Sequence, residues 1–374
     1  MSDHIPFHIQ AEIMKMLPVK SLIRFTCISK AWKSLIENSE FIANHIFRPQ
    51  HMLVTFKDQK IVSFVDDDTF PDQGLVPTLP RSVHQHSRIV GSSQGLLCFN
   101  AFTDSNQPNL GYISRTYMTV IWNPSIRKSI VRNVSIELYE NDETVLGFGV
   151  CPLTYDPMIM VITQFHKWPV KVGFTGLWDV KVYRLSSAKW KSLSRNLPSK
   201  SVRVQCPQVI VDRFIYWCAE QRLTIDNGLR RFHNVVMSFD MTNDSFKVVD
   251  LPKSLACHPL KDLSISKLKE SLAILEYNIN TRVYDVWMMD VERSFAKMFN
   301  ITAPHGSIMG FLKSGEPIMD VKVDDASELV VCKTYTRCSD HFTDLEFSRT
   351  SDMMSVNSYV ETLLFLGHCD CNDY

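Results

Sequence analysis

From residue 6 to residue 46 the apolar positions recur at helical spacing, and from His51 onward they recur as short strands. Ile9, Ile13 and Leu17 fall every four residues, one stripe of a helix that Pro6 can open, because proline suits a first turn. Pro18 interrupts that pattern and starts a second short helix carrying Val19, Leu22 and Ile23. Phe25, Ile28, Trp32, Leu35 and Ile36 mark a third helical face. Lys20, Arg24, Lys30 and Lys33 sit between the apolar positions and would reach water or an acidic neighbour. The segment is apolar on more faces than so short a stretch can bury alone.

Beyond it the chain repeats one unit: an apolar strand, a polar turn, then an aromatic or apolar residue opening a return strand. It occurs at Val120 to Val131, Val180 to Leu193, Val235 to Val249 and Tyr284 to Phe299, and more loosely at Leu329 to Phe347. Ile130, Trp190, Phe246, Phe295 and Phe342 open the returns. A second kind of hairpin lies between these, turning at Ser92 to Gly95, Val211 to Arg213, Lys269 to Ser271 and Phe311 to Glu316. Met52 to Val65 reads as a further hairpin turning at Lys57 to Gln59. Two hairpins per unit make four strands, the sequence form of a propeller blade. Such a blade must stack on neighbours to cover both faces. Tyr359 to Leu366 is a candidate strand for closing the set against an early blade. The expectation is a small all-α head of three helices over residues 1–48, then a mainly-β, propeller-like repeat domain of about six irregular blades over 49–374. The 13 glycines are few for such a fold, and no Gly-Gly pair supplies the usual kelch signature. A β-sandwich of the same hairpins is the alternative.

Composition changes this picture little. Apolar residues at 45% and charged residues at 21% are a globular balance with material for a core. Forty basic residues offset forty acidic ones, so bulk attraction to nucleic acid or to an anionic membrane surface is not expected. No apolar run approaches the ~20 residues of a membrane helix. The opening MSDHIPFH lacks the basic-then-apolar layout of a signal peptide. A soluble intracellular chain, cytoplasmic and/or nuclear, is expected. Its ten cysteines have no framework spacing and read as free thiols, Cys98 and Cys218 on buried strands. The glycosylation patterns at Asn133, Asn243 and Asn300 then carry no meaning.

Candidate chemistry is sparse. HExxH, GxSxG, a phosphate-cradling glycine loop and paired CxxC are all missing, so catalysis and cofactors are not expected. Asp66 to Gly74 reads as a solvated turn rather than a cation site. His368-Cys369-Asp370-Cys371 places ligand-type residues too close for a tetrahedral site and reads as a frayed tail, so no metal is expected. Trp122, Trp190, Trp217 and Trp287 fall at strand positions where packing between blades explains them. Trp168, Phe174 and Trp178 belong instead to a long insert, His166 to Asp179, bent by Gly173 and Gly176. An exposed aromatic loop there suits partner recognition; folding back over a blade edge is the alternative.

The order Pro6, Ile13, Leu17-Pro18-Val19-Lys20-Ser21-Leu22, Arg24-Phe25, Cys27-Ile28-Ser29-Lys30 and Trp32 closely resembles the F-box of plant F-box proteins. In that family the motif docks on the small Skp-type adaptor, and through it the cullin, of SCF (Skp–cullin–F-box) ubiquitin ligases. The resemblance implies core or adaptor-facing roles for Pro6, Ile9, Ile13, Leu17, Pro18, Val19, Leu22, Lys30 and Trp32, and does not divide the two roles among them. One departure is Ile5-Pro6-Phe7-His8-Ile9, where the family carries an acidic residue. Its loss weakens the helix start by up to ~1 kcal/mol. Further on, Gly91 to Phe99, Trp122 to Ser129, Gly147 to Pro152, Val182 to Leu193 and Ser238 to Pro252 are similar to successive landmarks of the plant F-box-associated domain, whose family includes the pollen S-locus F-box proteins. After Gly147-Phe148-Gly149 the likeness is loosest, because Met158 to Ile162 is apolar. The resemblance implies a non-catalytic ligase receptor, with the β domain binding a protein target of unknown identity. A stand-alone protein- or carbohydrate-binding module is the alternative.

Overall fold

The computed structural model describes residues 5–45, 50–56, 61–65, 79–83, 87–107, 111–139, 142–165, 178–193, 202–224, 230–303, 306–322, 330–336, 341–349, 354–365 and 372–373. The three expected helices form: α1 (Phe7–Lys15), α2 (Val19–Phe25) and α3 (Lys30–Ile36). A fourth of one turn, α4 (Ser39–Ala43), follows. Its start is written locally, since the Asn38 side chain accepts hydrogen bonds from the Glu40 and Phe41 amides and Glu40 sits in the first turn. Ser29 caps α3 by accepting from the Ala31 amide at 3.2 Å. Prolines precede α1 and α2 without side-chain caps, and α1 has no acid in its first turn.

The strands follow in hairpins. β1 (Gln50–Phe56) and β2 (Ile61–Val65) pair with Met52 opposite Phe64. Next come β3 (Arg88–Ser93), β4 (Leu96–Gln107), β5 (Tyr112–Asn123) and β6 (Lys128–Leu138). A second set is β7 (Glu143–Val150), β8 (Pro157–Gln164), β9 (Trp178–Arg184) and β10 (Lys189–Leu193). The third is β11 (Val202–Val211), β12 (Phe214–Thr224), β13 (Arg230–Asp240) and β14 (Ser245–Asp250), followed by the one-turn helix α5 (Lys253–Ala256). The fourth is β15 (Leu263–Leu268), β16 (Ser271–Asn278), β17 (Val283–Met289) and β18 (Phe295–Thr302). The fifth is β19 (Gly306–Phe311), β20 (Pro317–Lys322), β21 (Val330–Thr336) and β22 (His341–Arg349). β23 (Met354–Val360) and β24 (Asn372–Asp373) end the chain.

Among the described residues these strands make six sheets, the last four sets each antiparallel and in consecutive order. β24 adds to the β3–β6 sheet beside β6, and β23 joins β1 and β2. The hairpin rhythm read from the sequence is therefore the blade rhythm of a propeller-like β domain. The strand near the C-terminus ends at Val360, and residues 361–365 leave it as coil and turn. The turn expected at Lys57 to Gln59 and the Asp66 to Gly74 loop lie outside the described residues.

The chain forms two compact units: residues 1–102, 117–134 and 357–374 make the first, and residues 103–116 and 135–356 the second. In the second, each sheet buries a face against the next. Met158, Met160 and Ile162 of β8 meet Trp217, Met237 and Phe239, all almost fully buried. Val211, Tyr216 and Val236 meet Ile265, Leu272 and Ile274 in the same way, and Leu275, Val286 and Ile301 meet Phe311 and Met319. Two glutamines lace neighbouring sheets by imitating a backbone peptide. Gln164 of β8 donates to the Val204 carbonyl at 3.1 Å and accepts from its amide at 2.7 Å. Gln208 of β11 makes the same pair with Phe148 of β7, at 2.6 and 2.9 Å. Gly149 stands where a Cβ would collide with the Met241 sulfur, so the Gly-Phe-Gly landmark lets the next sheet approach.

In the first unit, Val83, Leu97, Phe99, Val120, Trp122 and Tyr359 form the sheet's core. Met14, Val19, Leu22, Ile36 and Phe41 form the core of the helical head, and Leu363 completes it at 1% exposure. Ile126, from the β5–β6 turn, packs on the same cluster. The segment from Tyr359 to Leu364 is held by buried Asn123, which donates to the Thr362 carbonyl at 3.0 Å and the Leu364 carbonyl at 2.7 Å. Ser125 hydrogen-bonds the Tyr359 hydroxyl and accepts from the Thr362 amide. Gly95, at φ +79° in the β3–β4 turn, faces the Val360 carbonyl and Thr362 so closely that any Cβ would collide with both. Truncating Leu363 to Ala should cost about 2–5 kcal/mol in urea unfolding. Ile279→Ala, at a side chain 71% exposed, should move stability by less than ~0.5 kcal/mol. Equal effects at the two positions would contradict a head core completed by Leu363.

Candidate functional site in the helical head

The head divides its apolar residues between two destinations. Val19 and Leu22 are wholly buried, and Met14 of α1 points with them into the core. Ile9, Ile13 and Met16 fall on another face of α1 at i, i+4 and i+7 and stay 43, 42 and 56% exposed. Ile5 and Phe7 are about half exposed at the start of that helix, and Ile28 is exposed in the turn that ends α2. A contiguous apolar face that the chain does not cover marks a site for a partner.

The remaining residues of the motif hold that face in place. Trp32 of α3 is half-buried, donates its indole N–H to Gln10 Oε1 at 2.9 Å, and packs on Phe25 with ring centroids 5.3 Å apart. Gln10 in turn donates to the Ile5 carbonyl at 2.7 Å, so one carboxamide ties α3 to the start of α1. Leu17 and Pro18 are half-buried at the α1–α2 corner, and the buried His45 ring hydrogen-bonds the Leu17 carbonyl at 2.7 Å. Pro6 and Lys30 are exposed. Lys30 opens α3, where the positive end of the helix dipole makes a cation mildly unfavourable.

Of the nine residues singled out from the sequence, Pro6, Ile9, Ile13 and Lys30 thus lie on the surface. Val19 and Leu22 are core, and Leu17, Pro18 and Trp32 join the two. Gln10 and His45 escaped the sequence reading, because a lone Gln or His carries no periodic signal. Ile126 and Leu363 escaped it because they arrive from distant parts of the chain.

For the β domain, Trp168 and Phe174 lie outside the described residues. Trp178 is not the exposed aromatic expected of a recognition loop. It is 4% exposed in β9, donates to the Val202 carbonyl at 3.0 Å and meets Phe246 edge-on at 5.7 Å. Its position in phase with Val180 and Val182, both core residues, is what carries it inside. Among the described residues no group of His, Cys, Asp and Glu is placed to hold a metal ion, and no helix is long and apolar enough to cross a membrane. The His368 to Cys371 tail lies outside the described residues.

A three-helix motif exposing one apolar stripe, followed by a bladed β domain, defines a class of two-part recognition proteins. Residues 2–44 match the F-box domain family, and residues 110–363 match the F-box associated beta propeller domain family. The chain belongs to these F-box proteins with an F-box-associated domain. It is similar to Putative F-box only protein 15 of Arabidopsis thaliana, 26% identical over 80% of this chain and 75% of that protein. F-box protein CPR1 of the same plant is 24% identical over 80% of this chain and 73% of its own length. An Arabidopsis F-box/kelch-repeat protein is 23% identical over 76% and 75%. This pairing of domains supports the general role of substrate receptor for SCF-type ubiquitin ligases.

The division within the head is testable by stability alone. Leu22→Ala should cost about 2–5 kcal/mol, and Ile13→Ala well under ~1 kcal/mol, in chemical denaturation followed by the helical circular-dichroism signal. A large loss at Ile13 would mean that its face is already covered.

Proposed function

We propose that this chain is a non-catalytic substrate receptor whose head binds a Skp-type adaptor through the exposed stripe of α1. Ile9, Ile13 and Met16 are the anchors, with Pro6 beside them and Lys30 offered to an acidic group on the adaptor. Val19, Leu22 and Trp32 act behind that surface by fixing where α1 stands. The observation that carries the reading is the exposure of Ile9 and Ile13 on a helix whose other apolar face is fully used. Burying two such side chains contributes roughly 1.5–3 kcal/mol each when they pass from full exposure to full burial, and less from the half-exposed state seen here.

The β domain then holds a protein target near the ubiquitin-carrying enzyme. The receptor breaks and forms no covalent bond; it raises the local concentration of target at the enzyme that does. A cullin enters only through the adaptor. Nucleic acid and membrane have no part in this arrangement.

Full-length chain should co-purify with a plant Skp-type adaptor as a stoichiometric complex. Replacing Ile9 and Ile13 together by Glu should abolish the complex while leaving the melting temperature within ~2 °C, because neither side chain is in the core. An undiminished complex would remove α1 as the contact. Wild-type chain that ignores the adaptor would favour a stand-alone binding module.

A further inference from the structure

Five of the cysteines among the described residues stand in different surroundings. Cys98 and Cys151 are buried, Cys218 is half-buried against the β11–β16 core, and Cys27 and Cys257 are exposed. Burial pushes the Cys98 thiol well above its usual range and the Cys218 thiol up to about 12, so neither offers a thiolate at neutral pH. Among the described residues the Cys27 sulfur has the Thr26 hydroxyl beside it, at 4.0 Å.

Cys257 differs. Its sulfur receives an N–H from the Arg231 guanidinium at 3.6 Å and lies 3.9 Å from His233 Nε2. Both partners project from β13, two residues apart, and Cys257 is the residue that ends α5. The two elements are locked together by buried Asn234, which donates to the Leu255 carbonyl at 2.8 Å and the His258 carbonyl at 2.6 Å. The sulfur is therefore held against the cation and the imidazole by an Asn234 bond on each side of it in sequence. His258 is turned to other partners, with its ring nitrogens 3.5 Å from Glu276 and 4.0 Å from Asp262, and leaves the cluster to Arg231 and His233.

We propose that Cys257 is a thiol–disulfide exchange site for small disulfides that carry carboxylates. Arg231, held beside the sulfur, offers N–H groups to an incoming carboxylate. His233 accepts the thiol proton. The Cys257 sulfur attacks one sulfur of the disulfide, a new S–S bond forms, and the old one breaks. The departing half leaves as a thiolate and takes up the proton held by His233. The cysteine is oxidised to a mixed disulfide and half of the reagent is reduced to its thiol, so the exchange needs no other oxidant.

The test uses full-length protein and two probes, oxidised glutathione, which is anionic, and cystamine, which is cationic. Adducts are quantified on the peptides containing Cys257 and Cys27 from the same sample. Cys257 should react faster than Cys27 with glutathione disulfide. Arg231→Gln should slow the glutathione reaction at Cys257 by about 2–5-fold, the size of one exposed charge contact, and leave cystamine unslowed. His233→Gln should slow both probes. Cys218, packed against the core of the same unit, stays unreactive in every variant whose fold is intact. Equal rates at Cys257 and Cys27, or equal slowing of both probes by Arg231→Gln, would overturn the proposal.

Discussion

The first compact unit depends on one carboxamide. Asn123 stands at the end of β5 with its side chain fully buried, and its NH2 group satisfies two carbonyls of the segment 359–365 at once. A buried amide without those partners would cost more than the bonds contribute, so the segment has one position and no near alternative. From that position Tyr359 fills the core of the sheet and Leu363 fills the core of the helical head. The head has too few residues for a core of its own, and this contact is how it acquires one.

The second unit solves its packing differently. Each sheet shares apolar side chains with the next, and the peptide-like pairing of Gln164 with Val204 and of Gln208 with Phe148 sets their registry. A glutamine in this position is specific where leucine is not: a shift of one residue leaves two buried polar groups unpaired. Arg184 adds a similar tie, reaching Asp244 at 2.6 Å and the Met241 carbonyl at 2.8 Å. The sheets thus stack by apolar contact and align by polar contact.

Much of this was legible in the sequence because it is periodic. The hairpins were visible from their apolar strands and polar turns, and Ile130, Phe246 and Phe295 are buried as returning residues should be. The helices were visible from their spacing and prolines. What spacing could not do was choose between faces. Ile9, Ile13 and Met14 are equally apolar, and only the packed head shows that Met14 goes inward while the other two remain outside. Trp178 is the opposite case, since its alternation with Val180 and Val182 was present in the sequence and outweighs its place beside an insert. Asn123, Gln164 and Gln208 carried no signal at all, because a buried amide announces itself only through partners far along the chain.

The bond from Asn123 to the Thr362 carbonyl closes 239 residues of chain. Leu363, one residue further on, is synthesised more than three hundred residues after the head whose core it completes. At roughly 5–20 residues per second, the head waits on the order of 15–60 s with its apolar interior unfinished. For that interval the inward face of Met14 and Leu22 lacks the cover that Leu363 gives it. A chaperone that shields nascent apolar surface meets more of it on this chain than the finished protein displays.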